Sequence, residues 1–339
     1  MEPILEVKNL HTSFHTSNGL VQAVRGVDLT LGKGEILGVV GESGSGKSVT
    51  CMSILQLLAN TGEITQGEII FRGENLVAMN KKEIRRVRGE KIAMVFQDPM
   101  SSLNPLMTVG RQIGEMIQEH NPKLSKQEIQ RRVVELMGMV RIPEPEKRLK
   151  SYPHQFSGGM RQRVMIAMAL ACQPDVLIAD EPTTALDVTI QDQILKLLRA
   201  LQQEQQRSII FITHDLGVVA ELCSRVVVMY GGLVMEEAPI DDLFERPAHP
   251  YTMGLLRSIP GANQDKSQPL EPIPGSPPDM LNPPQGCPFA ARCPYARRIC
   301  AQSLPPYTQL EGGRRSMCWL LTPQAPAENN PLWEVKPRA

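Results

Sequence analysis

The feature that most constrains the fold is a glycine-rich octapeptide that lies between an apolar strand and a helical segment. It is Gly41-Glu42-Ser43-Gly44-Ser45-Gly46-Lys47-Ser48, which fits the pattern G-x-x-x-x-G-K-S. In such a loop backbone N–H groups surround phosphate oxygens, the lysine binds the β and γ phosphates, and the serine hydroxyl is a ligand for Mg²⁺. The octapeptide therefore predicts a strand–loop–helix unit that binds a nucleoside triphosphate.

A second apolar strand ends in two acidic residues. Residues 176–179 are Val-Leu-Ile-Ala, and Asp180 and Glu181 follow directly. Asp180 is expected to hold hydrated Mg²⁺, and Glu181 is expected to orient or polarise the attacking water. Paired acids after a strand are often only a solvated turn. Together with the phosphate loop, however, they predict hydrolysis rather than passive nucleotide binding.

Hydrophobic periodicity predicts an α/β fold with a second, smaller β-layer. Alternating apolar residues at 4–10 and 21–31, separated by turn residues, predict antiparallel strands. Continuous apolar runs at 176–179, 208–213 and 226–230 predict strands that are buried on both faces of a parallel sheet. The core is therefore expected to have the topology of a P-loop NTPase.

Helical and proline-rich regions interrupt and end this core. From about residue 98 to 157 the pattern is purely helical, and Ser125 and Glu128 are spaced as a capping box. Eight prolines between 260 and 284 disfavour regular structure and predict a semi-rigid linker. The predicted parts are a nucleotide-binding domain at 1–258 with a helical insertion at about 98–157, a linker at 259–286, and a C-terminal extension at 287–339.

Several short motifs, in a fixed order over roughly residues 1–255, resemble those of ABC-type ATPases. Ser157-Gly158-Gly159 resembles the signature segment of that family and lies between the phosphate loop and the paired acids. Gln97 lies in Phe-Gln-Asp-Pro, Thr184 begins Thr-Ala-Leu-Asp, and His214 lies in Ile-Thr-His-Asp. The resemblance implies an ABC ATPase fold, a P-loop NTPase core with an antiparallel β-layer and a helical insertion, that hydrolyses ATP with Mg²⁺.

The resemblance also implies a role for each matched residue. Ser48, Gln97 and Asp180 would bind Mg²⁺, and Gln97 would also contact the attacking water. His214 would reach the γ-phosphate, although a lone histidine is more often a surface or core side chain. Phe14 would stack on adenine, although a phenylalanine in a strand is usually part of the core.

Two such domains pair head to tail in this family. The signature segment of one, here Ser157, Gly158 and Gly159, closes over the γ-phosphate held by the phosphate loop of the other. Met160 replaces the family's usual glutamine, which leaves the serine hydroxyl and glycine N–H groups in place. The resemblance implies that the chain needs a second ATPase subunit, and a related, non-identical subunit is favoured over a second copy.

A group of cysteines near the C-terminus has a composition typical of a metal site. Cys287, Cys293, Cys300 and Cys318 fall within 32 residues, with 5, 6 and 17 residues between them. Zinc sites prefer about two to four residues between paired cysteines, whereas four thiolates at wider spacing can surround a [4Fe–4S] cluster. An iron–sulfur cluster is therefore favoured over zinc, and unmetallated structural thiols are the alternative.

The same region resembles the C-terminal extension of oligopeptide and dipeptide importer ATPases, some of which carry an iron–sulfur cluster. The matching segments are His249-Pro250-Tyr251-Thr252, Gly286-Cys287-Pro288 and Arg292-Cys293-Pro294. The resemblance implies the ATP-hydrolysing subunit of a dipeptide or oligopeptide importer, bound peripherally at the cytoplasmic face of the inner membrane. Its expected partners are two membrane permease subunits and an extracytoplasmic substrate-binding protein acting through them. Nickel, glutathione, antimicrobial peptides and oligosaccharides remain alternative cargoes.

Composition and targeting signals agree with this interpretation. The 36 basic and 36 acidic residues give a formal net charge of zero, so no overall field favours nucleic acid, and no such partner is expected. The N-terminus shows no secretory signal, and no apolar stretch is long enough for a membrane helix. A soluble, non-transport ABC ATPase is the alternative of a different class. A P-loop kinase or GTPase has no place for the signature segment.

Overall fold

The computed structural model describes residues 2–184, 186–259, 272–332 and 334–335. These residues form two compact units, each assembled from separate stretches of the chain. The first unit consists of the N-terminal residues up to Ile4, Leu31–Ile36 and Ala78–Ile212. The second consists of Leu5–Thr30, Leu37–Val77 and the residues from Thr213 onward.

Strands and helices alternate through most of the described chain. The strands are β1 (Pro3–Thr16), β2 (Gly19–Gly32), β3 (Ile36–Val40), β4 (Gly62–Phe71), β5 (Glu74–Asn75), β6 (Ile92–Val95), β7 (Val176–Asp180), β8 (Ser208–Thr213), β9 (Arg225–Tyr230), β10 (Leu233–Pro239), β11 (Thr308–Gln309) and β12 (Arg315–Ser316). The α-helices are α1 (Lys47–Ile54), α2 (Lys81–Val87), α3 (Pro99–Ser102), α4 (Val109–His120), α5 (Lys126–Met139), α6 (Pro145–Arg148), α7 (Gly158–Leu170), α8 (Val188–Gln205), α9 (Leu216–Leu222), α10 (Ile240–Glu245), α11 (Pro250–Arg257) and α12 (Arg298–Gln302). Short 3₁₀ helices lie at Leu76–Ala78, Pro153–Gln155, Ala290–Arg292, Glu311–Gly313 and Trp319–Leu321.

The first unit contains a parallel sheet and the helical insertion. β6 pairs in parallel with β7, and β7 pairs in parallel with β8. Every residue of β7 and β8 is buried, as expected for strands that are covered on both faces. The prediction of a parallel sheet with continuous apolar strands is therefore confirmed for this unit.

The insertion is helical from α3 to α6, as the sequence predicts. Val109, Ile113 and Ile117 form a buried stripe along α4, at the spacing of a helix that packs one face. Ser125 caps α5: its hydroxyl accepts from the Glu128 N–H, and the Glu128 carboxylate accepts from the Ser125 N–H. The predicted capping box is confirmed.

The second unit contains the antiparallel β-layer and part of a mixed sheet. In the layer the strand order is β2-β1-β4-β5, and β1 pairs with β4 in antiparallel orientation. In the mixed part β3 and β9 are parallel, whereas β10 pairs with β9 and β12 in antiparallel orientation. β11 continues this sheet beyond β12, so the C-terminal region adds its two short strands to the sheet of the second unit.

Two elements have bounds that differ from those expected from hydrophobic pattern. β1 continues to Thr16 because Thr12 and Ser13, although polar, are buried in it, and the Thr12 hydroxyl hydrogen-bonds the Ser53 hydroxyl at 2.9 Å. The helical spacing that begins at Ser48 continues in the sequence to Leu58, but α1 ends at Ile54. Gln56 has a positive φ of 50°, which ends the helical conformation, and its side chain donates to the Leu76 carbonyl at 2.5 Å.

The proline-rich segment has no helix or strand over its described residues, 272–284. It nevertheless contacts the β-layer: the Gln22 N–H donates to the Met280 carbonyl at 2.9 Å, and Arg25 donates to the Pro284 carbonyl at 2.9 Å. Residues 260–271 of the predicted linker lie outside the described residues. Over the part of the chain that the structure describes, none of the helices combines the length and apolar character needed to span a membrane.

Candidate active site

The phosphate loop is shaped by glycines that no other residue could replace without strain. Gly44 and Gly46 have positive φ angles of 77° and 99°. At Gly41, with φ of 151°, an added Cβ would lie 2.1 Å from the Met229 carbonyl oxygen. These positions let the backbone turn between β3 and α1, as the G-x-x-x-x-G-K-S pattern predicts.

Lys47 extends back over this loop. Its ammonium donates to the carbonyl oxygens of Gly41 at 2.7 Å and Glu42 at 2.8 Å, and the residue is only 6% exposed. A cation therefore lies within the loop, at the N-terminal end of α1, where Ser48 follows. This is the arrangement of donors and positive charge that binds the phosphates of a nucleotide.

Two residues that the sequence did not assign to the site hold Glu42 of the phosphate loop. Arg292 donates through Nη1 to Glu42 Oε2 at 2.6 Å and through Nη2 to Oε1 at 3.0 Å. The Glu42 N–H donates to the Tyr251 hydroxyl oxygen at 2.9 Å. Arg292 and Tyr251 belong to motifs that the resemblance picked out, but their separation from Glu42 in sequence gave no signal of contact.

In the first unit the structure brings Gln97 to Glu181. The Gln97 side-chain amide donates to Glu181 Oε2 at 3.0 Å, and the Thr184 hydroxyl donates to the same oxygen at 2.8 Å. Asp180 ends β7 and is buried. The carboxylate proposed to act on water is thus held by an amide and by a hydroxyl, and Thr184 is a contact that pattern alone did not identify.

Glu181 also has an unusual backbone. Its φ is 45°, in the left-handed region that non-glycine residues seldom adopt, and its N–H donates to the Ile212 carbonyl at 2.9 Å. Backbone strain of this kind is concentrated at functional sites, where the surrounding structure maintains it. The strain and the two side-chain donors together fix where the carboxylate points.

The signature segment begins α7. Ser157 is the N-cap and its hydroxyl accepts from the Met160 N–H at 3.4 Å, while Ser157 and Gly158 are exposed. Gly159 is buried, and an added Cβ would lie 2.5 Å from Ile190 Cγ2. The segment therefore presents a hydroxyl and N–H groups to solvent at the positive end of a helix.

Phe14 and His214 lie in the second unit. The Phe14 ring covers Gly62 of the paired strand β4, where an added Cβ would lie 2.5 Å from Phe14 Cε1. His214 follows the last residue of β8 and is exposed, and the next residue, Asp215, caps α9 by accepting from the Gly217 N–H at 2.8 Å. Roles for Phe14 in adenine stacking and for His214 at the γ-phosphate remain predictions.

The four clustered cysteines line one pocket of the second unit. Its walls also include Phe289, and about 310 Å³ of it is free of protein atoms, part of that space being open to solvent. Burial raises the pKa of the Cys287 thiol to about 12 and that of Cys293 to about 11, and it also raises the pKa of Cys318. Thiolates in this pocket would therefore require a bound cation or cluster to stabilise them.

Among the described residues, no group of three or more His, Cys, Asp or Glu side chains is arranged so that it could hold a metal ion. All four cysteines, Cys287, Cys293, Cys300 and Cys318, line one shared pocket. Four sulfur ligands around a pocket fit the chemistry of an iron–sulfur cluster. The donor set is thus compatible with the cluster, and a role for these cysteines as its ligands remains a prediction.

Comparison with known proteins shows similarity to ATP-binding subunits of transporters over nearly the whole chain. The family model described as ABC transporter matches residues 24–184, and the model described as oligopeptide/dipeptide transporter, C-terminal region, matches residues 235–300. The oligopeptide transport ATP-binding protein OppD of Bacillus subtilis is 53% identical over 329 residues, which are 97% of this chain and 92% of that protein. The dipeptide transport ATP-binding protein DppD of the same organism is 52% identical over 321 residues, 94% of this chain and 95% of that protein.

Solved structures show the same fold. A dimeric ATP-binding cassette in a post-hydrolysis state, bound to ADP and Pi, has 30% sequence identity and a TM-score of 0.63, and the match covers 70% of this chain and 98% of that one. The expected P-loop NTPase core with its antiparallel β-layer and helical insertion is therefore confirmed.

Proposed function

Because the chain belongs to the ABC transporter family, in its oligopeptide and dipeptide transporter branch, we propose that it is the ATP-hydrolysing subunit that energises uptake of dipeptides or oligopeptides. One observation carries this proposal. The similarity to peptide transport ATP-binding proteins extends over 94–97% of the chain and so includes the C-terminal extension as well as the ATPase core.

In the proposed reaction Glu181 acts on the water that attacks the γ-phosphate of ATP. The Gln97 amide and the Thr184 hydroxyl both donate to Glu181 Oε2, so they set the direction of the carboxylate before water binds. The phosphate loop and Lys47 bind the triphosphate, with the signature segment of a second subunit on its other side. Catalysis of this kind depends on positioning and on charge stabilisation.

We assign Mg²⁺ binding to Ser48, Gln97 and Asp180. Hydroxyl, amide and carboxylate oxygens are ligands of the type that Mg²⁺ prefers, and Asp180 is a buried carboxylate at a strand end. When bound, the ion neutralises charge on the phosphates.

A second ATPase subunit completes the site in this proposal. Ser157 and Gly158 are exposed at the start of α7, where they are available to the phosphate of ATP on another subunit. The dimeric form of the similar cassette supports pairing. We favour a related, non-identical subunit as the partner.

We further propose that the chain binds two membrane permease subunits at the cytoplasmic face of the inner membrane. Two large apolar side chains that follow Gln97 in the sequence are exposed, Leu106 85% and Met100 63%. Apolar side chains in such positions are typical of protein interfaces. A substrate-binding protein outside the cytoplasm would deliver the peptide to the permease.

The cysteine pocket is the proposed site of a [4Fe–4S] cluster held by Cys287, Cys293, Cys300 and Cys318, with zinc as the second candidate. When bound, the cluster would stabilise thiolates that burial otherwise disfavours. In the chain purified without oxygen we expect iron and acid-labile sulfide, together with broad absorbance of visible light.

Cys293→Ser should lower the iron content and this absorbance, whereas Cys51→Ser, at a buried cysteine outside the pocket, should leave both unchanged. Full retention of the chromophore by the Cys293→Ser chain would contradict the assignment. Zinc in place of iron in the wild-type chain would establish the second candidate.

Uptake of labelled dipeptides and tripeptides tests the proposed function in cells that lack other peptide importers. Glu181→Gln should abolish uptake because the amide retains the shape of the carboxylate but cannot act as a base. The matched control is Glu204→Gln, the same change at an exposed position on α8, which should transport at the wild-type rate.

Wild-type uptake by the Glu181→Gln cells, at equal expression, would refute the hydrolytic role of Glu181 in peptide import. Loss of another transported compound in those cells, with peptide uptake intact, would instead point to nickel, glutathione, antimicrobial peptides or oligosaccharides as cargo.

A further inference from the structure

The phosphate loop carries a negative charge of its own. Glu42 is the second residue of the loop, and its N–H and carbonyl both take part in the loop's hydrogen bonds, to Tyr251 and from Lys47. The loop is built to bind a polyanion, so a carboxylate here opposes the charge of the ligand. Its side chain is 26% exposed, which leaves water only partial access to screen it.

Arg292 neutralises this carboxylate with a paired set of hydrogen bonds. The two contacts to Glu42, at 2.6 and 3.0 Å, are parallel, so the guanidinium and the carboxylate meet as two planar groups. The Arg292 side chain is only 6% exposed. Breaking a buried pair of this kind leaves an uncompensated charge.

Further hydrogen bonds of Arg292 join it to the proline-rich segment and to β9. Nε donates to the Pro274 carbonyl at 2.8 Å, Nη2 to the Ile273 carbonyl at 3.1 Å and Nη1 to the Tyr230 hydroxyl at 3.0 Å. The guanidinium thus reaches Glu42 in a predetermined orientation. A lysine could replace the charge but not these directed contacts.

A cluster of aromatic side chains also contacts the phosphate loop at Glu42. The rings of Tyr230, Tyr251 and Phe289 lie 4.6 to 5.4 Å apart, centroid to centroid. The Tyr251 hydroxyl accepts from the Glu42 N–H, and Phe289 belongs to the segment that begins at Cys287. The phosphate loop is therefore held by side chains from α11 and from the C-terminal extension together.

We propose that Arg292 is a positioning residue for ATP binding, which neutralises Glu42 and holds the phosphate loop from the C-terminal extension. The inference rests on the ATP binding proposed above but requires neither peptide cargo nor an iron–sulfur cluster. In this proposal the C-terminal extension contributes directly, through Arg292, to the affinity of the chain for ATP. Without Arg292, the negative charge of the Glu42 carboxylate is no longer neutralised and repels the phosphates of ATP. Removing the Glu42 charge as well returns the net charge of the pair to zero.

The test is the Kd of Mg²⁺-ATP for the full chain in a Glu181→Gln background, which prevents turnover during the measurement. Arg292→Met should weaken binding about tenfold, because the buried carboxylate then repels the phosphates. Glu42→Gln should tighten binding a few fold, since it leaves the Arg292 charge uncompensated near the anion. The Arg292→Met/Glu42→Gln double variant should return to within about threefold of the parent chain.

The matched control is Arg298→Met, which removes a positive charge from an exposed position on α12 of the same extension. It should bind ATP with the parent Kd. Arg292→Lys should fall between the parent and Arg292→Met, because it keeps the charge and loses the paired geometry. If circular dichroism shows that Arg292→Met is unfolded, the Arg292→Gln single and Arg292→Gln/Glu42→Gln double variants, which also remove the charge at position 292, replace it, with the same rescue expected.

A purely structural role for the Arg292–Glu42 pair predicts that Glu42→Gln, which also breaks the pair, weakens ATP binding instead of tightening it. Parent-like affinity in the Arg292→Met chain, or a double variant as weak as Arg292→Met alone, would overturn the inference while leaving the ATPase function intact. If the parent chain itself fails to bind Mg²⁺-ATP, the proposed function fails and the inference fails with it.

Discussion

Two side-chain donors, the Gln97 amide and the Thr184 hydroxyl, reach the same oxygen of the Glu181 carboxylate. Sequence motifs identify Glu181 and Gln97 because the order of motifs is diagnostic, and the structure places the two within hydrogen-bond distance. The Thr184 contact arises from the turn after β7, in which the Thr184 N–H also donates to the Glu181 carbonyl at 3.2 Å. Such a contact depends on the left-handed backbone at Glu181, which no residue pattern reveals.

Thr184→Val tests the contribution of this hydroxyl to hydrolysis. Valine keeps the side-chain shape but removes the donor to Glu181, so we expect the kcat for ATP hydrolysis to fall about tenfold while the Kd for ATP is unchanged. Thr184→Ser retains the hydroxyl and should retain most of the activity. Equal kcat values for the valine and wild-type chains would show that the Thr184 hydroxyl does not help to orient the carboxylate.

At the scale of elements, local sequence chemistry accounts for much of the structure. The glycine loop before α1, the apolar strands β7 to β9 and the Ser125–Glu128 capping box follow from short-range rules, and the structure contains all of them. Helix and strand ends are less predictable. The end of α1 depends on a hydrogen bond from Gln56 to Leu76, and the length of β1 depends on buried hydroxyls that resemble surface residues in a sequence.

Ser125→Ala tests the capping box of α5. Loss of the hydroxyl leaves the Glu128 N–H without its side-chain acceptor and should lower the free energy of unfolding by about 1 kcal/mol. Urea denaturation monitored by circular dichroism measures the change, and Ser125→Asp, which retains a capping acceptor, should lose less. An alanine variant as stable as wild type would show that α5 is fixed by its buried face alone.

At the scale of the whole molecule, the second unit depends on contacts between residues that are far apart in sequence. Arg292 binds Glu42 across 250 positions, and Arg315 and Ser316 in β12 pair with Glu237 and Glu236 in β10. The periodicity of apolar residues and the positions of turn residues do not show which distant residues pair, because many alternative partners would fit the same local sequence pattern. The sequence therefore predicted a proline-rich linker and a separate extension, but not the hydrogen bonds that join the linker to β2 and the extension to the phosphate loop.

The pH dependence of stability tests whether Glu236, a buried residue of β10 in the second unit, is held in its protonated form. Burial raises the pKa of Glu236 to about 7, whereas in the unfolded chain it ionises near 4.5. The protonated carboxyl stabilises the fold fully below about pH 4.5, and this contribution is lost as the pH rises toward 7.

Glu236→Gln keeps the acceptor for the Ala248 N–H but has no proton to lose. Its stability relative to wild type should therefore rise between pH 5 and pH 8, by up to about 3 kcal/mol. Thermal unfolding at several pH values measures this difference, and Glu245→Gln, at an exposed position of α10, should show none. A constant difference across this range would mean that Glu236 is not held protonated.

The most direct measurement is phosphate release from ATP by the chain assembled with its second ATPase subunit and its permease in lipid vesicles. We predict that a peptide-loaded binding protein accelerates phosphate release, and that Glu181→Gln abolishes both the basal and the stimulated rate while Glu204→Gln changes neither. A rate of phosphate release that does not change when peptide and binding protein are added would contradict the account of this chain as the ATP-hydrolysing subunit of a peptide importer. So would a rate that is the same in the Glu181→Gln and wild-type complexes.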